Sequence, residues 1–150
     1  MHNESPITCD VVLPYHNAAL PYVAASIDSI LNQQNARCII HAIADAVSKE
    51  DEDIIKSLYR DASNIRFYRN ETSIGQYQSV HKVFHKLESK YIAIQDSDDI
   101  SLPHRLWHSV TEMQKHNADI FGASMENFID WRSNGYAKAD WYIENQGIIS

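Results

Sequence analysis

The chain has 150 residues, 44% apolar and 22% charged, with only four Gly and four Pro. This profile suits one globular domain and excludes disordered, collagenous and coiled-coil architectures. Thirteen Lys+Arg stand against twenty Asp+Glu, a formal net charge of -7, and no basic run is present, so nucleic acid is not an expected partner.

In chain order, Val11-Val12-Leu13 is an apolar run broken by Pro14 and reads as a strand followed by a loop. Pro21 suits a first helical turn. Val23, Ile27, Ile30 and Leu31 then give one apolar helical face. Residues 38–44 form the next apolar stretch, ending at Asp45. Ser48 is placed to cap a helix with Asp51 at its third position, and Ile54, Ile55 and Leu58 are its expected buried stripe. Residues 65–68 are the third strand candidate, and Tyr77, Val80, Val83, Phe84 and Leu87 mark another amphipathic helix. Tyr91-Ile92-Ala93-Ile94 is the fourth strand and runs into Gln95-Asp96-Ser97-Asp98-Asp99. Pro103 opens a last helix, with Leu106, Val110 and Met113 inward, and strands are expected at 119–122 and 125–131. Strands alternating with helices predict an α/β fold with a mainly parallel sheet covered on both faces. Ligands of such sheets sit outside the carboxyl ends of the strands, where this chain places 14–17, Asp45 and 96–99.

Cys9 and Cys38 are too few for a disulfide framework or a four-ligand metal centre, although a single pairing between them stays open. There is no apolar run of about 18 residues and no basic-apolar leader. The expected setting is reducing and cytoplasmic, at most peripheral to a membrane within a membrane-associated complex. The D-x-D arrangement of Asp96 and Asp98 supplies hard oxygen ligands suited to Mg2+ or Mn2+. In extended backbone both side chains face one way. The bland alternative is a solvated loop with a helix cap. The calcium-loop pattern is broken by Ile100 and Ser101, and the phosphate-loop, dinucleotide-loop and nucleophile-elbow motifs are all missing.

Taken in order, these segments resemble the N-terminal, nucleotide-sugar-binding part of inverting family 2 glycosyltransferases with a GT-A fold. The likeness begins at Val11-Val12-Leu13-Pro14-Tyr15-His16-Asn17 and continues through Ser26-Ile27-Asp28-Ser29-Ile30-Leu31-Asn32-Gln33 and residues 65–75. It goes on through residues 91–99 and Pro103-His104-Arg105-Leu106, and the ordered set covers about 11–122. The fold it implies is a three-layer α/β/α sandwich.

The resemblance assigns Pro14, Tyr15, His16 and Asn17 to the base and ribose, with His16 in place of the usual Tyr. Asp45 matches the second acid of a strand-end pair and is expected to accept from the base N–H, with Ala44 replacing the first acid. Ala46-Val47 replaces the usual small polar turn, which leaves the base open. Gly75 and Gln76 belong to the donor loop. His81 occupies an Asn position near the sugar, and Val80 stands where the family has Arg. Asp98 is the expected principal ligand of Mn2+ or Mg2+. Asp96 binds ribose or a metal-bound water, with Ser97 beside it, and Asp99 orients the loop or contacts sugar.

The implied donor is a nucleoside-diphosphate sugar, with a UDP-sugar to be tried first. The acceptor is a glycan or another hydroxyl, with cell-surface polysaccharide a family expectation. The acceptor-activating base falls after the D-x-D region, where Asp130, Asp140 and Glu144 cannot be matched. Residues 1–150 are accordingly expected to be one donor-binding domain truncated before a complete acceptor region. The alternatives are a non-catalytic nucleotide-sugar or protein-binding module of the same fold, favoured by Ala44, Ala46 and Val80, and a nucleotidyltransferase. The last is disfavoured because 14–19 contain no Gly, Lys or Arg.

Overall fold

The computed structural model describes residues 6–16 and 19–125. Two compact units are distinguished, Met1–Trp107 and His108–Ser150. The first holds β1 (Ile7–Tyr15), α1 (Leu20–Leu31), β2 (Ala36–Asp45), α2 (Lys49–Leu58), β3 (Ile65–Asn70), α3 (Gln76–Phe84) and β4 (Tyr91–Ile94). A final helix, α4 (Arg105–His116), begins in the first unit and continues into the second.

The four strands form one sheet in the order β3-β2-β1-β4, and every pairing is parallel. The chain builds outward from β1 to β3, then returns to add β4 on the other side of β1. The crevice at the carboxyl ends of β1 and β4 is therefore the topological switch point, where open α/β sheets bind ligands.

Strand alternation divides the core. Cys9, Val11, Leu13 and Tyr15 of β1 point to one face and pack with Ile40, Ala42 and Ala44 of β2. That face is covered by Val23, Ile27 and Ile30 of α1, Ile55 of α2 and Leu106. Val12 and Ile43 point the other way and meet Val83 of α3. Burying each such aliphatic side chain is worth about 1.5–3 kcal/mol, so the period-two pattern sets the register. The outcome is the expected α/β/α layering.

Several local readings change in the folded chain. β1 runs through Pro14 and does not stop before it. Val12 accepts from Gln95 N on the β4 side, and Pro14, two residues on, faces that same side after the β4 pairing has ended at Ile94. Its missing N–H therefore breaks no ladder bond. Ser48 caps α2 as expected, accepting from Asp51 N at 3.1 Å. Glu52, two residues before Ile54, is 1% exposed and is bound by Lys49, Lys56 and Arg69. Burial would raise its carboxyl pKa; the three cations outweigh that and lower it. Tyr77 and Phe84 are 89% and 57% exposed, so α3 buries a narrower stripe than its apolar residues suggested. Leu58 is likewise exposed.

Residues 119–122 are not a strand. The apolar triplet pairs with no strand among the described residues, and Ile120 is exposed. Within the second unit, Phe121 instead meets His108 edge-on, with ring centroids 6.3 Å apart. The expected strand at 125–131 falls almost wholly outside the described residues. Cys9 and Cys38 sit opposite each other in the β1–β2 register as free, buried thiols. Burial pushes their pKa values to about 12 and about 11. No helix among the described residues is long and apolar enough to cross a membrane.

Candidate functional site

At the switch point lies an open cleft of about 250 Å³. Pro14, Tyr15 and His16 line it from the end of β1, Asp45 from the end of β2, Gln76 from the start of α3, and Asp96, Ser97 and Asp98 from the loop after β4. Parallel strands deliver all four segments to one edge because their carboxyl ends point the same way.

The β1 end contributes unequally. Tyr15 is 2% exposed and belongs to the core, so its ring is not available for stacking on a base. Burial and then the nearby Glu52 charge push its phenol to about 12. His16 is exposed, and its Nδ1 lies 2.5 Å from the carbonyl oxygen of Asp45. A carbonyl only accepts, so Nδ1 carries the proton. This bond ties the end of β1 to the end of β2. Asn17 lies outside the described residues.

Asp45 is a hub. Its Oδ1 accepts from Asn70 Nδ2 and Ile74 N, both at 3.0 Å. Its Oδ2 accepts from Ser73 Oγ at 2.9 Å and Gly75 N at 3.1 Å. A carboxylate offers about four lone-pair sites, and here all are taken. Burial alone would raise the pKa, but the bonds from Ile74, Asn70, Ser73 and Gly75 bring it below the ordinary carboxylate value. The side chain thus shapes residues 70–75, and a base N–H would share its lone pairs with these four donors. Ala44, where an acid was looked for, is fully buried in the apolar core. An acid there would face hydrocarbon and not the cleft. Gly75 has φ 81, a region costly for other residues, and opens α3. A Cβ built on it would meet nothing within 4 Å. Within the protein the requirement is therefore conformational.

The acidic loop is held from below. Gln95, 3% exposed, donates through Nε2 to the carbonyls of Asp96 at 3.3 Å and Asp99 at 2.8 Å, and to Ser26 Oγ at 3.1 Å. Ser26 Oγ in turn donates to the Asp96 carbonyl at 2.8 Å. Arg105 donates to Gln95 Oε1 at 2.5 Å, Ser101 Oγ at 2.8 Å and the Ile94 carbonyl at 3.0 Å. Arg105 therefore braces the Gln95 and Ser101 side chains and the end of β4 beneath the loop. Above this base the carboxylates of Asp96 and Asp98 are exposed. Asp96 Oδ1 accepts from Gln76 Nε2 at 2.6 Å, joining α3 to the loop. The Asp99 carboxyl is pushed up by burial and by the charges of Asp96 and Asp98, with Arg105 opposing.

The structure thus assembles Pro14, His16, Gln76, Asp96, Ser97 and Asp98 in one cleft, with the Asp45 backbone at its edge. His81 is exposed on α3 and does not line it. Sequence reasoning passed over Gln95, Ser26, Asn70 and Ser73. Their only signal was position: one uncharged polar residue before the acidic loop, and a buried Ser in the apolar stripe of α1. Among the described residues no group of three His, Cys, Asp or Glu side chains is arranged around an ion position. Asp96 and Asp98 alone suit a hard divalent cation whose remaining positions are filled by ligand oxygens, not a protein-enclosed site.

Comparison with known proteins follows the same line. An uncharacterized glycosyltransferase of Methanocaldococcus jannaschii is 34% identical over 125 residues, spanning 83% of this chain and 43% of that protein. S. aureus TarS in complex with UDP-GlcNAc superposes with a TM-score of 0.70 at 18% identity, covering 88% of this chain and 37% of that one. The mannosyltransferase PcManGT from Pyrobaculum calidifontis, in complex with GDP-Man and Mn2+, gives 0.66 at 15% identity over 79% of this chain and 35% of that one. The chain spans less than half the length of each, and the two structures speak to fold alone. The model of glycosyl transferase family 2 matches residues 10–147, and this protein belongs to that family.

Proposed function

We propose that the cleft binds a nucleoside-diphosphate sugar and that the chain takes part in transferring the sugar to a hydroxyl acceptor. The observation that carries this reading is the convergence of His16, Gln76 and the Asp96–Asp98 pair at the switch point of a family 2 sheet. UDP is the first nucleotide to try, beside GDP, because the similar folds were solved with UDP-GlcNAc and GDP-Man.

In this reading Asp98 and Asp96 are the residues that would hold Mn2+ or Mg2+. When bound, the cation offsets charge developing on the leaving diphosphate. The chain's own part is positional. Gln95, Ser26 and Arg105 hold the loop backbone so that the two carboxylates face the cleft. Gln76 orients Asp96. The Asp45 hub shapes residues 70–75 at the start of α3, and His16 closes the β1 side. The acceptor hydroxyl needs a base on the opposite face of the sugar. The family resemblance places that base after the D-x-D region, so we assign it and the acceptor contacts to residues beyond that loop. Asp130, Asp140 and Glu144 lie among those.

Calorimetry with UDP and GDP, with and without Mn2+, tests the reading. Nucleotide affinity should rise with the cation, and Asp98→Asn should remove most of that gain. Cation-independent binding that Asp98→Asn leaves unchanged would defeat the assignment.

A further inference from the structure

A second concavity, of about 340 Å³, opens on the α3 face of the sheet beside edge strand β3. Its base is formed by Ile43 and Val83, with the Tyr68 ring at one side. Its rim carries Arg69 from β3 and Lys82 and Lys86 from the second half of α3 and the turn after it, with the His85 imidazole beside them. No carboxylate lines it, in a chain whose acids outnumber its bases by twenty to thirteen.

The cations are not equally neutralised. Arg69 is bound to Glu52 at 2.7 Å and Glu71 at 3.0 Å. Lys82 donates to Asn70 Oδ1 at 2.8 Å, a neutral acceptor that leaves its charge uncompensated. Lys86 stands 5.0 Å from the centroid of the Tyr68 ring. Neither lysine makes an ion pair with a carboxylate among the described residues. Tyr68 cannot swing away to relieve this, because it stacks on His41 at 5.7 Å and bonds it through its hydroxyl at 3.1 Å. His41 is anchored in turn by buried Asp10 at 2.8 Å. Two exposed ammonium groups are thus presented beside a rigid aromatic wall.

We propose that this concavity binds an organic phosphate monoester, the phosphate bridging Lys82 and Lys86 and the apolar substituent lying against Tyr68. A phosphomonoester dianion carries enough charge for two ammonium groups and enough oxygens to accept from both. A carboxylate matches only one charge. This site does not use the cleft residues and stands apart from the donor reading.

The test is a titration of the 15N-labelled chain with phenyl phosphate in EDTA, which removes any cation-dependent binding at Asp96 and Asp98. The amides of 68–70 and 82–86 should shift together and saturate in the millimolar range. The double variant Lys82→Gln, Lys86→Gln, which alters only exposed side chains, should weaken binding roughly tenfold. Lys82→Arg with Lys86→Arg should retain it. No saturation below roughly 20 mM, shifts confined to 14–16 and 96–98, or equal binding by the Gln variant would overturn the site. Inorganic phosphate binding as tightly as phenyl phosphate would overturn the ester in favour of free phosphate.

Discussion

Asp45 ends one apolar strand and Asp98 closely follows another, and both border the same cleft, yet the fold uses them in opposite ways. Asp45 is 3% exposed and receives four hydrogen bonds from residues 70–75. Asp98 is exposed and receives none from the described residues. One carboxylate is part of the scaffold; the other is presented to whatever enters. A strand-end acid is therefore assigned by the groups that occupy its lone pairs, and its place in a motif does not decide the matter.

The strongest challenge to that contrast is Asp45→Ala. It leaves the donors on Asn70, Ser73, Ile74 and Gly75 without this acceptor; Asn70 alone is buried, and it keeps Ser79 Oγ. A loss of about 1–3 kcal/mol in urea unfolding is expected. The pH dependence sharpens it. Because the folded pKa of Asp45 lies below its unfolded value, its contribution is complete above the unfolded value of about 4 and is lost as pH falls toward the folded one. Asp45→Asn should flatten that acid limb of the stability profile. If both variants unfold as the wild type does, the hub has no structural role.

Gln95→Leu comes next. It removes the donor to the Asp96 and Asp99 carbonyls and one acceptor of Arg105. The expected cost is about 2 kcal/mol of stability, together with weaker cation-dependent nucleotide binding. Unchanged nucleotide binding would show that the loop holds its shape without Gln95.

Asp98→Asn is the reverse case. Stability should move by less than about 0.5 kcal/mol, as for an ordinary surface change. Nucleotide affinity in Mn2+ should fall at least roughly tenfold, about 1.4 kcal/mol. A variant that loses stability but keeps affinity would exchange the roles given to the two acids.

The smallest effect belongs to Asp99. Its folded pKa is raised by burial and by its acidic neighbours, so its ionised form opposes folding above that pKa and has no effect below its unfolded value. Asp99→Asn should add a few tenths of a kcal/mol at neutral pH, since exposed charges interact weakly. The gain should vanish in acid. Parallel thermal melts at neutral and acid pH would detect it, and a loss at neutral pH would contradict the sign.

The local patterns in the chain were enough for the four strands, their alternation with helices, the Ser48 cap and the placement of the acidic loop at a strand end. Periodicity and capping act over a few residues, and a linear reading sees them directly. The family likeness likewise lay in ordered short segments. Tertiary structure decided the rest, because burial and hydrogen-bond partnership depend on residues far apart in the chain. Asp45 is saturated by a segment some thirty positions later. Tyr15 turns into the core, while Glu52 is buried because Arg69 arrives from β3 to meet it. Residues 119–122 remain unpaired among the described residues despite a strand-like composition, since a strand requires a neighbour and no single segment can supply its own.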